Sequence, residues 1–220
     1  MTAPVTTARP IGTSRKRVSK IADARDSLAD FGHGVEVDVL TFGQFSIIDA
    51  IEAVLDITGP AAVTLATWTA AEFDLSQIEA QLMRARITDL RLIIDRSFVS
   101  RQPRFVQLIH DRFGEGSVRS TRTHAKFVVI TNDAWSVVIR TSMNLNHNPR
   151  LEYLQVVDDA GLAAMYLSVA DALFEEEPPG LENRRGVPEL AGVAGVEPSI
   201  PVRMGKPPRV GYAPRMGGSK

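Results

Sequence analysis

The run Thr121-Arg122-Thr123-His124-Ala125-Lys126-Phe127-Val128-Val129-Ile130 commits this chain to a strand that is apolar at one end and charged at the other. Val128, Val129 and Ile130 are β-branched and suit a buried pleated surface. Side chains of a strand alternate between its two faces. Read as one strand, the run puts Arg122, His124 and Lys126 on the same face, about 7 Å apart in turn at a rise of about 3.3 Å per residue. One imidazole between two cations is a site for an anion, and a phosphate fits it best.

A second stretch completes this site. Trp135-Ser136-Val137-Val138-Ile139-Arg140 reads as a returning strand, with Asn132-Asp133-Ala134 as the turn. It runs into Thr141-Ser142-Met143-Asn144-Leu145-Asn146-His147-Asn148, which is too polar for a buried strand. A hairpin returns the end of its second strand to the start of its first. Ser142 and Asn144, which share a parity, are therefore expected beside His124 and Lys126. Glu152 follows in a further strand-like run ending at Val157. Arg122, Asn146 and His147 are the candidates for holding a substrate. For His147 a solvated loop position is an equally open reading.

His-x-Lys before a hairpin, then Thr141-Ser142-Met143-Asn144 and a downstream Glu152, resembles the phospholipase D-like (HKD) superfamily. The resemblance spans roughly residues 35–177 and has three departures. The family's Asp falls on Thr131, with Asp133 as the nearest carboxylate, and its usual Gly before the Ser is Thr141. The hairpin is also about three residues longer than the family's spacing. The resemblance implies a metal-independent phosphodiesterase or phosphatidyltransferase fold that works through a phosphohistidine, without a cofactor. His124 would be the nucleophile, Lys126 and Asn144 would hold the non-bridging oxygens, Ser142 would donate at the cleft floor, and Glu152 would orient an imidazole.

Along the chain, strands are expected at 35–40, 62–68 and 89–95. Helices are expected at 21–31, 45–57, from a cap at Asp74 or Ser76 to about 86, at 103–113 and at 160–177. Strands alternating with helices argue for an α/β sandwich on a mixed, largely parallel sheet. That order is similar to one phospholipase D-like unit, whose layers are α/β/α. Residues 1–20 read as a flexible basic arm and 21–177 as the domain. Residues 178–220, with eight prolines and eight glycines, read as a flexible tail.

Charge is distributed unevenly. Ten of the 25 basic residues lie in 1–20 and 200–220, which hold no acid, so the stretch between has 15 basic against all 26 acidic residues, a net of −11. Basic arms on an acidic body point to a polyanion, with solvated tails as the open alternative. Having no cysteine, the chain has no disulfide, thiolate metal site or thiol nucleophile. No apolar run approaches a membrane span and no apolar signal core opens the chain, so a soluble cytoplasmic protein without membrane insertion is expected.

His33 reads as a turn residue, His110 as a helix-surface residue, and Trp68 and Trp135 as packing residues. His33, His110 and His147 have no spacing that suggests a metal site. The expected function is a phospholipase D-like nuclease with DNA as the preferred partner. The alternatives are an HKD-like nucleic-acid-binding or assembly module and a phospholipid phosphodiesterase. One HKD element supplies one histidine, whereas in-line displacement needs a nucleophile and an acid. The enzyme reading therefore expects a homodimer.

Overall fold

The computed structural model describes residues 12–19, 23–147, 149–181 and 188–194. Eight strands form one sheet: β1 (Thr13–Ser19), β2 (Val35–Thr41), β3 (Ala61–Thr67), β4 (Ile87–Asp95), β5 (Val118–Thr121), β6 (Phe127–Thr131), β7 (Ser136–Thr141) and β8 (Glu152–Asp158). Their spatial order is β1-β2-β8-β7-β6-β3-β4-β5. The pairs β1–β2, β3–β4 and β4–β5 are parallel, and the four pairings from β2 through to β3 are antiparallel. The sheet is therefore mixed, with its antiparallel strands in the middle. Six helices cover it: α1 (Ala24–Ser27), α2 (Ile47–Thr58), α3 (Glu72–Met83), α4 (Ser97–Arg101), α5 (Pro103–Phe113) and α6 (Ala160–Glu176). No described helix is long and apolar enough to cross a membrane.

Strand parity divides the core in two. Val128 and Ile130 of β6 join Val137 and Ile139 of β7 on the face covered by α1 to α5. Phe127, Val129 and Val138 point the other way, onto Ala163, Ala170 and Leu173 of α6. Both faces of the hairpin are thus dry, which is what its β-branched run requires. The buried guanidinium of Arg119 donates to the Phe174 carbonyl (3.2 Å) near the end of α6 and lies 4.4 Å over the Phe174 ring.

Local signals explain most element ends. Ser46 and Asp49 form a reciprocal capping box at the start of α2, and Gly59 at φ 74° ends it. Pro103 opens α5 and Gly114 closes it. Helix α3 departs from expectation: its N-cap is Ala71, with no side-chain cap. The Ala71 amide donates to the Leu145 carbonyl (2.8 Å), so the loop after β7 sets where α3 begins. Asp74 instead lies inside the first turn, buried, and Ser76 turns its hydroxyl to the Glu72 carbonyl (2.9 Å).

Two boundaries also differ. Residues 13–19 are an edge strand rather than part of a flexible arm. Their alternation is hidden by the run Arg15-Lys16-Arg17, and edge strands tolerate such charge. Ser19 and Ser27 share a hydroxyl hydrogen bond (2.7 Å), and Arg17 donates to the Asp26 carbonyl (2.8 Å). The stretch after α6 is likewise anchored at its start. Gly180, at φ 85°, donates to the Glu115 and Val118 carbonyls (both 2.9 Å), and the Leu181 amide donates to His110 Nε2 (3.1 Å). His110 is therefore a half-buried anchor and not a surface residue. The remaining basic positions of the two arms, Arg9, Lys20 and those from 203 onward, lie outside the described residues.

Burial pushes the Asp74 carboxyl up to about 6 from 3.8, and the Asp49 charge adds to this, while its own backbone amide, Ser46 and His147 pull it down. The folded form thus binds the proton more tightly than the unfolded chain. The resulting cost is fully present above pH 6 and fades as the pH falls through 6 towards 3.8. Asp74→Asn should raise stability at pH 8 by on the order of 2 kcal/mol, with the gain gone near pH 4. Urea denaturation at the two pH values checks this.

Candidate active site

Strand β5 pairs with β4 at one edge of the sheet, whereas β6 pairs with β3 on its other side. Residues 122–126 must therefore cross over the carboxyl ends of β4 and β3. This is why they form a loop, and why the expected strand over 121–130 is broken into β5 and β6. His124 and Lys126 sit on that crossing. Its start is fixed by the Arg96 amide donating to the Thr121 carbonyl (2.8 Å) and by the Thr123 amide donating to Asp95 Oδ2 (3.1 Å). Asp95 Oδ1 accepts from the Ser97 amide (3.0 Å), which ties the same carboxylate to α4.

The hairpin brings β7 back to this edge. The Thr141 amide donates to the Lys126 carbonyl (3.3 Å). Ser142 follows, its amide donating to the Tyr153 carbonyl (3.2 Å) and its hydroxyl accepting from the Tyr153 amide (3.0 Å). That hydroxyl donates to the Glu152 carboxylate. His124, Lys126, Ser142, Arg140, Tyr153 and Tyr166 line one cleft of about 430 Å³.

Within the cleft the Lys126 ammonium donates to His124 Nδ1 (3.1 Å) and to the His124 carbonyl (2.8 Å). An imidazole that accepts at Nδ1 carries its proton on Nε2. Burial lowers the Lys126 pKa from its ordinary value, and the Glu152 charge opposes that shift. Glu152 does not take the orienting place behind the imidazole that the sequence suggested; it holds Ser142, and Lys126 is the group against the ring.

The other expected residues are placed differently. Arg122 is exposed on the crossing loop. The Oδ1 atoms of Asn144 and Asn146 are buried without a hydrogen-bond partner among the described residues. Leu145 between them bonds to Thr69 and Ala71, so this loop packs on the start of α3. His147 Nε2 bonds the Gly43 carbonyl (2.8 Å), joining the loop to the β2–α2 connection.

Trp68 is the residue the sequence reading missed. It follows β3 directly, its ring centroid is 5.7 Å from that of His124, and the Arg101 guanidinium lies 3.8 Å over it. Its place one residue beyond a parallel strand was the available signal, since α/β sites gather at the carboxyl ends of strands. Arg140, which shares parity with Ser142, could have been found the same way. Trp135 is a packing residue as expected, stacked on His33 at 3.6 Å, and His33 bonds Asp158 (2.6 Å) at its turn.

No family model matches the sequence, and no curated protein does. Among solved structures the chain is similar to NucT from Helicobacter pylori, at 15% identity and TM-score 0.46 over 66% of this chain and 99% of that one. It is also similar to Nuc from Salmonella typhimurium, a phospholipase D family member, at 15% identity and TM-score 0.42 over 60% and 91%. Polyphosphate kinase from Porphyromonas gingivalis gives 12% identity and TM-score 0.46 over 63% of this chain and 26% of that one. The architecture is mixed α/β, and it brings His124, Lys126 and Ser142 into one cleft.

Because the Glu152 charge favours the protonated ammonium, Glu152→Gln should lower the Lys126 pKa further below its ordinary value. Side-chain NMR of labelled lysine across an alkaline titration measures this. A shift in the opposite direction would contradict the cleft electrostatics.

Proposed function

We propose that this chain is a metal-independent phosphodiesterase, a nuclease that acts through a phosphohistidine in a homodimer. The observation that supports it is the meeting of His124, Lys126 and Ser142 in one cleft, with Glu152 behind Ser142. A phosphodiester is anionic and repels nucleophiles, so its oxygens must be gathered by cations and donors. Lys126 is the cation we assign to that task, with Arg140 on the cleft wall and Ser142 on its floor, the Ser142 hydroxyl proton being given to Glu152.

The chemistry proceeds in two displacements. When Lys126 turns from Nδ1 to a phosphate oxygen, Nδ1 is free to carry the ring proton and Nε2 presents its lone pair. Nε2 attacks phosphorus, the N–P bond forms, and the P–O bond to the leaving alcohol breaks. The departing oxygen takes a proton from an acid on the opposite side. Water then attacks the phosphohistidine and gives its proton to that same group, which restores both partners. His33 is stacked on Trp135, His110 is bound to the Leu181 amide and His147 to the Gly43 carbonyl, so none of the three is free to act as this acid. His124 of a second copy supplies it by two-fold symmetry.

Thr131 does not weigh against catalysis. It lies at the far end of β6, roughly 16 Å along the strand from Lys126 at about 3.3 Å per residue. An Asp at that position would not touch the reacting phosphate, so its loss does not favour the non-enzymatic module. Nucleic acid is preferred over lipid because exposed Arg15 and Lys16 sit on β1 in the same sheet.

His124→Ala should abolish cleavage of plasmid and single-stranded DNA in EDTA while leaving the fold intact. Removing Lys126 should cost about 10²–10³ in rate, the usual worth of one electrostatic stabiliser. A mixed dimer of wild type with His124→Ala should be badly impaired, because its one shared site lacks a histidine. Full activity in EDTA from a strict monomer, by analytical ultracentrifugation, would sink the shared cleft.

A further inference from the structure

Helix α6 packs on β5, β6 and β7, and the face it covers continues past it across β8, β2 and β1. On that uncovered part, Val18, Leu40 and Tyr153 stand directly opposite one another in register. They are 67%, 44% and 48% exposed. The row does not stop at Tyr153. Its next neighbour across the sheet is Ser142, bonded to Tyr153 through both backbone and hydroxyl. A groove of about 480 Å³ follows the row, and Tyr153 lines both this groove and the catalytic cleft. From β6 to β1 is four strand spacings, about 19 Å at about 4.8 Å each, enough for a few nucleotides.

We propose that this groove holds the unpaired nucleic-acid strand that flanks the scissile phosphate, with bases stacked on Tyr153 and the aliphatic row beyond it. The proposal rests on the phosphodiesterase reading of the cleft. Three features select the occupant. Bases stack on aromatic side chains, and Tyr153 is the aromatic group where the groove meets the cleft. The rim strand β1 carries Lys16 at the groove and Arg15 on its opposite face, edge charges that repel the identical strand of a second copy. Asp38 stands opposite Lys16, one step further from the cleft, so charge there is balanced and the groove offers stacking more than phosphate pairing. A duplex keeps its bases inside and cannot use such a surface.

The test uses the full chain in a His124→Ala background. Binding of a labelled oligothymidylate about twelve nucleotides long, and of a duplex of that length, is measured with Tyr153 and Leu40 intact and with Tyr153→Ala or Leu40→Ser. Tyr153→Ala should weaken single-strand binding about ten-fold, within the range for loss of one base–aromatic stack, and Leu40→Ser should weaken it in the same direction. The duplex should be less affected, and the salt dependence of single-strand binding should be unchanged. Unchanged single-strand affinity in correctly folded variants overturns the proposal, as does an equal loss for duplex. So does a groove whose substitution abolishes binding to phosphatidylglycerol vesicles, or converts dimer to monomer, while leaving oligonucleotide affinity alone. Hydrolysis of bis(p-nitrophenyl) phosphate by the wild-type chain tests the phosphodiesterase reading separately, because that ester is too small to reach β1.

Discussion

The site depends on one crossing. Strand β5 lies at the sheet edge on β4, and β6 lies beyond β3, so the chain between them must pass over two strand ends. Five residues make that passage, and two of them are His124 and Lys126. A crossing at the carboxyl ends of parallel strands has no ladder partners of its own. It is held instead by Asp95 on the Thr123 amide, by Thr121 on Arg96, and by the Lys126 carbonyl on Thr141. Those bonds fix the loop at both ends and leave the imidazole and ammonium facing a cleft, while Trp68 beneath Arg101 packs beside the ring.

The hairpin supplies the other half of the site for a different reason. Strands β6 and β7 are dry on both faces, so their register cannot slip by one residue without moving apolar side chains out of both cores. This fixed register delivers Ser142 opposite the loop that carries Lys126. Ser142 then couples the end of β7 to the start of β8, where Glu152 takes its hydroxyl. A partly buried ammonium with a carboxylate nearby is a balance of two opposed effects: burial lowers its proton affinity and the carboxylate restores part of it.

The uneven covering of the sheet has a separate consequence. Among the described helices, five layer one face and α6 alone layers the other. An eight-stranded sheet is wider than one helix can cover, since strands are about 4.8 Å apart and a helix is about 10 Å across. The uncovered strands are the ones that carry Tyr153, Leu40 and Val18, and they adjoin the cleft. Charges that look like a tail in the sequence, Arg15 to Arg17, are in fact built into the rim of this surface.

The amino-acid sequence by itself determined the elements with strong local signals. These are α2 with its capping box, α5 between Pro103 and Gly114, and the hairpin with its β-branched runs. It also brought out His124, Lys126 and Ser142 together, because a hairpin returns the end of its second strand to the start of its first whatever the conformation just before it. What it could not carry was anything set by partners distant in the chain. Strand β1 exists because β2 offers a ladder to it, although its own residues read as a basic arm. His110 is an anchor only because Leu181 returns to it, and Asp74 is buried only because α3 starts at Ala71 against the loop at Leu145. The break between β5 and β6, the contact of Trp68 with His124, and the placing of Glu152 on Ser142 instead of the ring were decided by the tertiary structure. Each follows from which strands are neighbours in the sheet, and strand order is a long-range choice that no local run of residues encodes.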